Sequence, residues 1–101
     1  ITGFAASYTP GDVVEAWAEL KLGKQPVPGA DVLRAVVTAD DVALGDVVFF
    51  DAKTDDAGKA RLRFTLPPDL KQGDVRLKVT FKTPDGEESV ADRVPVVGRN
   101  L

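Results

Sequence analysis

Between residues 59 and 66, apolar and polar side chains alternate without a slip. Ala60, Leu62, Phe64 and Leu66 fall on one side, and Lys59, Arg61, Arg63 and Thr65 on the other. Residues 74–82 repeat the pattern, with Val75, Leu77, Val79 and Phe81 set against Asp74, Arg76, Lys78, Thr80 and Lys82. Successive side chains of a β-strand leave opposite faces, so each stretch predicts a strand with one dry face and one wet face. The rest of the chain follows less sharply. Strands are predicted over 3–7, over 13–22 with Val14, Ala16, Ala18, Leu20 and Leu22 on one face, over 32–38, over 47–52 and over 89–97. The run Val47-Val48-Phe49-Phe50 is too apolar to assign a face. Residues 40–46 read as a loop, and no segment carries the apolar stripe of an amphipathic helix.

Turn chemistry separates these runs. Pro10-Gly11-Asp12, Pro26-Val27-Pro28-Gly29, Asp55-Asp56-Ala57-Gly58, Pro67-Pro68-Asp69, Gln72-Gly73 and Pro84-Asp85-Gly86 each mark a break. Asp85-Gly86 between two alternating runs signals a hairpin. About seven short strands, with turns roughly every ten residues, predict an all-β chain. The expected fold is an antiparallel immunoglobulin-like or fibronectin type III-like β-sandwich. Residues 1–101 make one domain on length alone.

Composition then narrows the chemistry. The chain has no His and no Cys. It thus lacks the commonest general base, the commonest transition-metal ligand, thiol nucleophiles and disulfides. The two serines, Ser7 and Ser89, lack the Gly-x-Ser-x-Gly setting of a nucleophile elbow. The expectation is no enzyme and no cofactor. A net charge of −3 argues against nucleic acid as a partner, and no apolar run is long enough for a membrane helix. Asp40-Asp41 and Asp55-Asp56 offer oxygens that calcium could use. Acidic turns at one end of the sandwich explain them more simply, because neither doublet has the spacing of a calcium loop.

Two features bear on contact with partners. Lys59, Arg61 and Arg63 line one strand, and Arg76, Lys78 and Lys82 line another. These stripes read as solvated outer faces, and in different sheets they need not form one patch. Trp17 lies between Glu15 and Glu19, opposite the small apolar residues. If those form the core, Trp17 is partly exposed and marks an interdomain contact, with Tyr8 a second candidate.

The turn residues also resemble a known family. Tyr8-Thr9-Pro10-Gly11-Asp12 is similar to the Tyr-x-Pro-Gly-(Asp/Glu) opening of macroglobulin-type domains, best of all the second such domain of the α-2-macroglobulin and complement family. Pro26-Val27-Pro28-Gly29-Ala30-Asp31-Val32 resembles its Pro-Val-x-Gly-Ala-x-Val step, and Thr54-Asp55-Asp56-Ala57-Gly58 its Thr-Asp-x-x-Gly turn. Leu66-Pro67 followed by Gly73 fits its Leu-Pro…Gly link. Bacterial invasin-like immunoglobulin domains share the two middle steps. The resemblance implies a rigid bead among similar beads; the family's thioester cannot be present without Cys. Beginning at Ile1 rather than Met, the chain reads as a fragment of a larger exported protein, bacterial by its Ala-, Val- and Asp-rich composition, and extracellular, cell-surface or periplasmic. The expected function is a structural and interaction module that spaces and contacts neighbouring domains of its own chain, or another protein. The alternative is a ligand- or surface-binding accessory module of an adhesin-like or carbohydrate-active protein.

Overall fold

The computed structural model describes residues 1–40, 42–45, 47–70 and 74–97. The Gln72-Gly73 turn and Asp41 lie outside the described residues. Nine strands form among them: β1 (Val13–Glu19), β2 (Lys21–Leu22), β3 (Gln25–Pro26), β4 (Asp31–Ala39), β5 (Val42–Ala43), β6 (Val48–Phe49), β7 (Lys59–Thr65), β8 (Val75–Thr83) and β9 (Gly86–Arg93). No helix occurs among the described residues. The strands pair antiparallel into a three-stranded sheet β1-β7-β6, a four-stranded sheet β5-β4-β8-β9 and the small hairpin β2-β3.

The alternating runs decide what is inside. Val14, Ala16 and Ala18 of β1 and Ala60, Leu62 and Phe64 of β7 are buried, as are Val75, Leu77, Val79 and Phe81 of β8 and Val37 of β4. All belong to one buried cluster. Each fully buried Leu, Val or Phe contributes about 1.5–3 kcal/mol against exposure. Small Ala18 and Ala60 face each other in register, with Ala16 beside Leu62.

The strand boundaries depart from the period-two reading at five places, each with a local cause. Residues 3–7 are not a strand. After Thr2 pairs with Trp17, the chain folds around Tyr8, whose hydroxyl accepts the Ala5 N–H at 2.8 Å while Phe4 meets its ring edge-on. The 13–22 strand breaks after Glu19, because Leu20 bonds sideways to Gly58 and Val27. Beyond it Leu22 turns outward into the β2-β3 hairpin and is 45% exposed, against the expectation that it joins the core.

The strand expected over 47–52 shrinks to β6. Asp51 Oδ2 takes the Arg61 N–H at 3.1 Å, a donor that a longer strand would have paired. The loop expected at 40–46 contains β5, which doubles back on β4 through Asp40 at φ 50°. The last strand begins at Gly86 and ends at Arg93, not at 89 and 97. Its turn residues are Pro84 and Asp85 rather than Asp85-Gly86, with Thr83 facing Gly86 across the hairpin. Asp85 keeps a negative φ and Gly86 takes φ 125°, so the positive-φ requirement falls one residue later than a mirror-image turn would put it.

Candidate interaction face

The burial of Val14, Ala16 and Ala18 forces Val13, Glu15 and Trp17 to the outer surface of the three-stranded sheet. On β7 the same rule turns Arg61 and Arg63 outward. Register then assembles two rows. Trp17 lies beside Arg61, and Phe50 donates its N–H to the Arg61 carbonyl at 3.0 Å, giving Trp17-Arg61-Phe50. Glu15 lies beside Arg63, which lies beside Val48. Two strand spacings place the Trp17 and Phe50 backbones about 10 Å apart.

Charge and aromatic faces interlock on this surface. The Arg61 guanidinium carbon lies 4.9 Å from the Phe50 ring centroid and that of Arg63 5.5 Å, a two-cation stack on one ring. Arg61 also meets Glu15 Oε2 at 3.2 Å. Large apolar side chains remain in water: Trp17 is 37% exposed, Phe50 47%, Val48 50% and Val13 52%. Trp17 is fixed at its backbone by two 2.9 Å bonds to Thr2, and its ring lies against Gly3, where an added Cβ would sit 3.2 Å from Trp17 Cδ1. The result is a held, amphipathic platform that can stack on a planar or apolar surface and offer a guanidinium beside it.

The sequence placed Trp17 on an outer face and left open which of Phe49 and Phe50 joins it there. The signal was present: once Arg61 and Arg63 point outward, residues of the 47–50 run that pair with them point outward too. Tyr8, the second contact candidate, lies inside. It is only 9% exposed, because its ring fills the space beside Phe4 and its hydroxyl holds Ala5, so it has little surface to offer a partner.

The structural turns hold the core rather than the platform. Pro10 is buried, and Gly11 and Leu66 bond at 3.1 Å across the end of β1. Asp55 Oδ1 accepts the N–H groups of Ala57 and Lys59 at 2.9 and 3.0 Å. Buried Thr54 accepts from Ala30 N–H and donates to the Val27 carbonyl, which ties the Gly29 turn to the Asp55 to Gly58 turn. Asp85 is anchored by Thr83 Oγ1 at 3.3 Å.

The two basic stripes fall in different sheets, β7 in one and β8 in the other. The β8 stripe is interrupted at Thr80, which is buried and shares a 3.0 Å hydroxyl hydrogen bond with Ser89, while Arg34 and Glu87 pair from β4 to β9 on the same face. Across strands Arg34 and Arg93 join Arg76, Lys78 and Lys82, a grouping invisible in any one run. Two carboxylates pair with three of these five cations. Glu87 meets Arg34 at 3.3 Å, and Asp74 lies 2.8 Å from Arg76 Nε and 3.1 Å from Arg93 Nε. Arg76 and Arg93 face each other directly, so Asp74 sits between two like charges. The Arg76 hydrogen bond foremost, with the charges of Arg76 and Arg93, lowers the Asp74 pKa against an opposing desolvation.

Asp40 and Asp55 do not share one end of the fold. Asp40 follows the last residue of β4, where Ala39 pairs with Val75, while Asp55 follows Thr54, which bonds to Ala30 just before β4 begins. The nine residues of β4 separate the two turns by roughly 30 Å. Asp40 accepts the Asp74 N–H at 3.1 Å. Among the described residues no group of three or more acidic, His or Cys side chains is placed to hold a metal ion. The sequence matches no family model, no curated protein and no solved structure.

Proposed function

We propose that this chain is a non-catalytic interaction module, a macroglobulin-type β-sandwich within a larger exported protein. Its outer β1-β7-β6 face would be the surface that contacts a neighbouring domain. The observation that carries this reading is the Trp17-Arg61-Phe50 row, an aromatic pair left in water on a rigid sheet with Val13 and Val48 beside it. Trp and Arg anchors ringed by smaller apolar contacts are the composition of protein interface centres. The sandwich reading is supported by the single buried cluster, which draws inward residues from both larger sheets. The macroglobulin assignment rests on the turn residues Tyr8 to Asp12, Pro26 to Val32 and Thr54 to Gly58.

One observation favours a second reading. Trp17 and Phe50 share a row with Glu15 and Arg61 nearby, and two aromatics with polar groups in reach can also grip a sugar chain. Trp17 is the only tryptophan of the 101 residues, so with any tryptophans of the flanking domains replaced by Phe its emission reports on this face. A blue shift when flanking domains are restored, with no change across a panel of glycans, supports the interdomain role. The opposite pattern removes it in favour of glycan binding.

A further inference from the structure

The sheet edges differ in how they are closed. On β1, Thr2 already occupies the outward groups of Trp17. Strands β5 and β6 are two residues long. β9 is the longest edge strand, eight residues without Pro, Lys or a break in register, and its charges, Glu87, Glu88, Asp92 and Arg93, are what an added strand must match. Val94 donates to the Val75 carbonyl at 2.8 Å, so alternation turns Gly86, Glu88, Val90 and Asp92 toward β8 and leaves the backbone groups of Glu87, Ser89, Ala91 and Arg93 pointing away. The Arg93 N–H is taken by Asp92 Oδ1 at 2.8 Å. Along β9 the residues with both outward groups open are therefore Glu87, Ser89 and Ala91.

We propose that β9 pairs antiparallel with β9 of a second copy, with the two-fold axis at Ser89. The side chains select this register. Centred on Ser89, Glu87 faces Ala91 of the second copy, Glu88 faces Val90, Asp92 faces Gly86, and Arg93 faces Asp85. No like charges oppose each other, and one opposite-charge pair closes each end. Centring on Val90 would set Glu88 against Asp92, and centring on Glu88 would set it against itself. Centring on Ala91 would need the Arg93 N–H, which is already spent. The Ser89 register uses all three open residues of each copy and joins two four-stranded sheets into one of eight.

The chain has no Cys, so single-cysteine variants report without background. In this register residue 89 faces its own copy as a hydrogen-bonded pair with Cα atoms about 5.5 Å apart, within the roughly 4.4–6.8 Å that a disulfide spans. Under mild oxidation Ser89→Cys is expected to cross-link fastest, with Val90→Cys and Ala91→Cys far slower. Sedimentation across a concentration series should show a dimer for the unmodified chain. Ala91→Pro should be monomeric with unchanged far-ultraviolet dichroism, because it removes an outward donor and no bond to β8. A monomer at every concentration overturns the proposal, as does cross-linking at 90 or 91 that matches or exceeds that at 89.

Discussion

Replacing Gly58 with Ala tests the joint between the two halves of the β1-β7 pair. Gly58 sits at φ 75°, and a Cβ there would lie 2.6 Å from the Leu20 carbonyl oxygen and 3.0 Å from Val27 N. Both are backbone atoms and cannot swing aside. The left-handed backbone alone costs Ala about 1–2 kcal/mol. Relieving the clash means moving Leu20, whose N–H bonds Gly58 O at 2.7 Å and whose carbonyl accepts from Val27 at 3.0 Å. Losing about one net hydrogen bond adds ~1 kcal/mol. The entropy that Ala removes from the unfolded chain returns about 0.4–1 kcal/mol. The sum is a destabilisation of about 2 kcal/mol, or roughly 8–16 °C in Tm for a domain of this size.

Gly29→Ala supplies the control. Gly29 has nearly the same φ, 70°, but nothing lies within 4 Å of the added Cβ. It should cost about 1 kcal/mol or less, backbone strain offset by the same entropy gain. Urea unfolding followed by Trp17 fluorescence gives both values by linear extrapolation. Equal costs for the two variants would show that the close approach of Leu20 to Gly58 carries no energy, and the reasoning fails.

Other substitutions probe separate links. Thr54→Val leaves the Ala30 N–H and the Val27 carbonyl without partners in a buried site and should cost about 2–6 kcal/mol in urea unfolding, roughly 1–3 for each stranded group. Leu62→Ala, at a fully buried position, should cost about 2–5 kcal/mol by the same assay. Trp17→Ala, by contrast, should cost less than Leu62→Ala in thermal unfolding, because the ring is 37% exposed and so gives up less buried surface. The folded pKa of Asp74 lies below its ordinary 3.8. Its contribution is therefore complete above that value and disappears as pH falls through the folded pKa. Stability against pH should fall less steeply on the acid side in Asp74→Asn than in the unmodified chain, and an unchanged acid slope would refute the role given to Arg76 and Arg93.

The all-β character and the inward faces of β1, β7 and β8 were legible because side-chain period and burial are the same fact seen twice. Leu62 and Leu77 could not point elsewhere without reversing every neighbour. The short elements were not legible. Whether residues 3–7 form a strand depends on where Tyr8 places its hydroxyl, and β6 ends where Asp51 substitutes a carboxylate for a carbonyl. Both are tertiary events that no local period records. The platform was half legible for the same reason. Trp17 announced itself by standing opposite the alanines, whereas Phe50 required the register between β6 and β7. Asp74 looked like one more outward charge on an alternating strand; only the facing of Arg76 and Arg93 gives it work.

The proposed contact role of the Trp17-Arg61-Phe50 row is tested most directly by hydroxyl-radical footprinting of the isolated chain and of the same residues within the proposed larger protein. Trp17 and Phe50 should be protected together in the larger protein, while exposed Leu33 and Val36 of β4 keep their reactivity. Equal labelling of Trp17 and Phe50 in both would contradict the account.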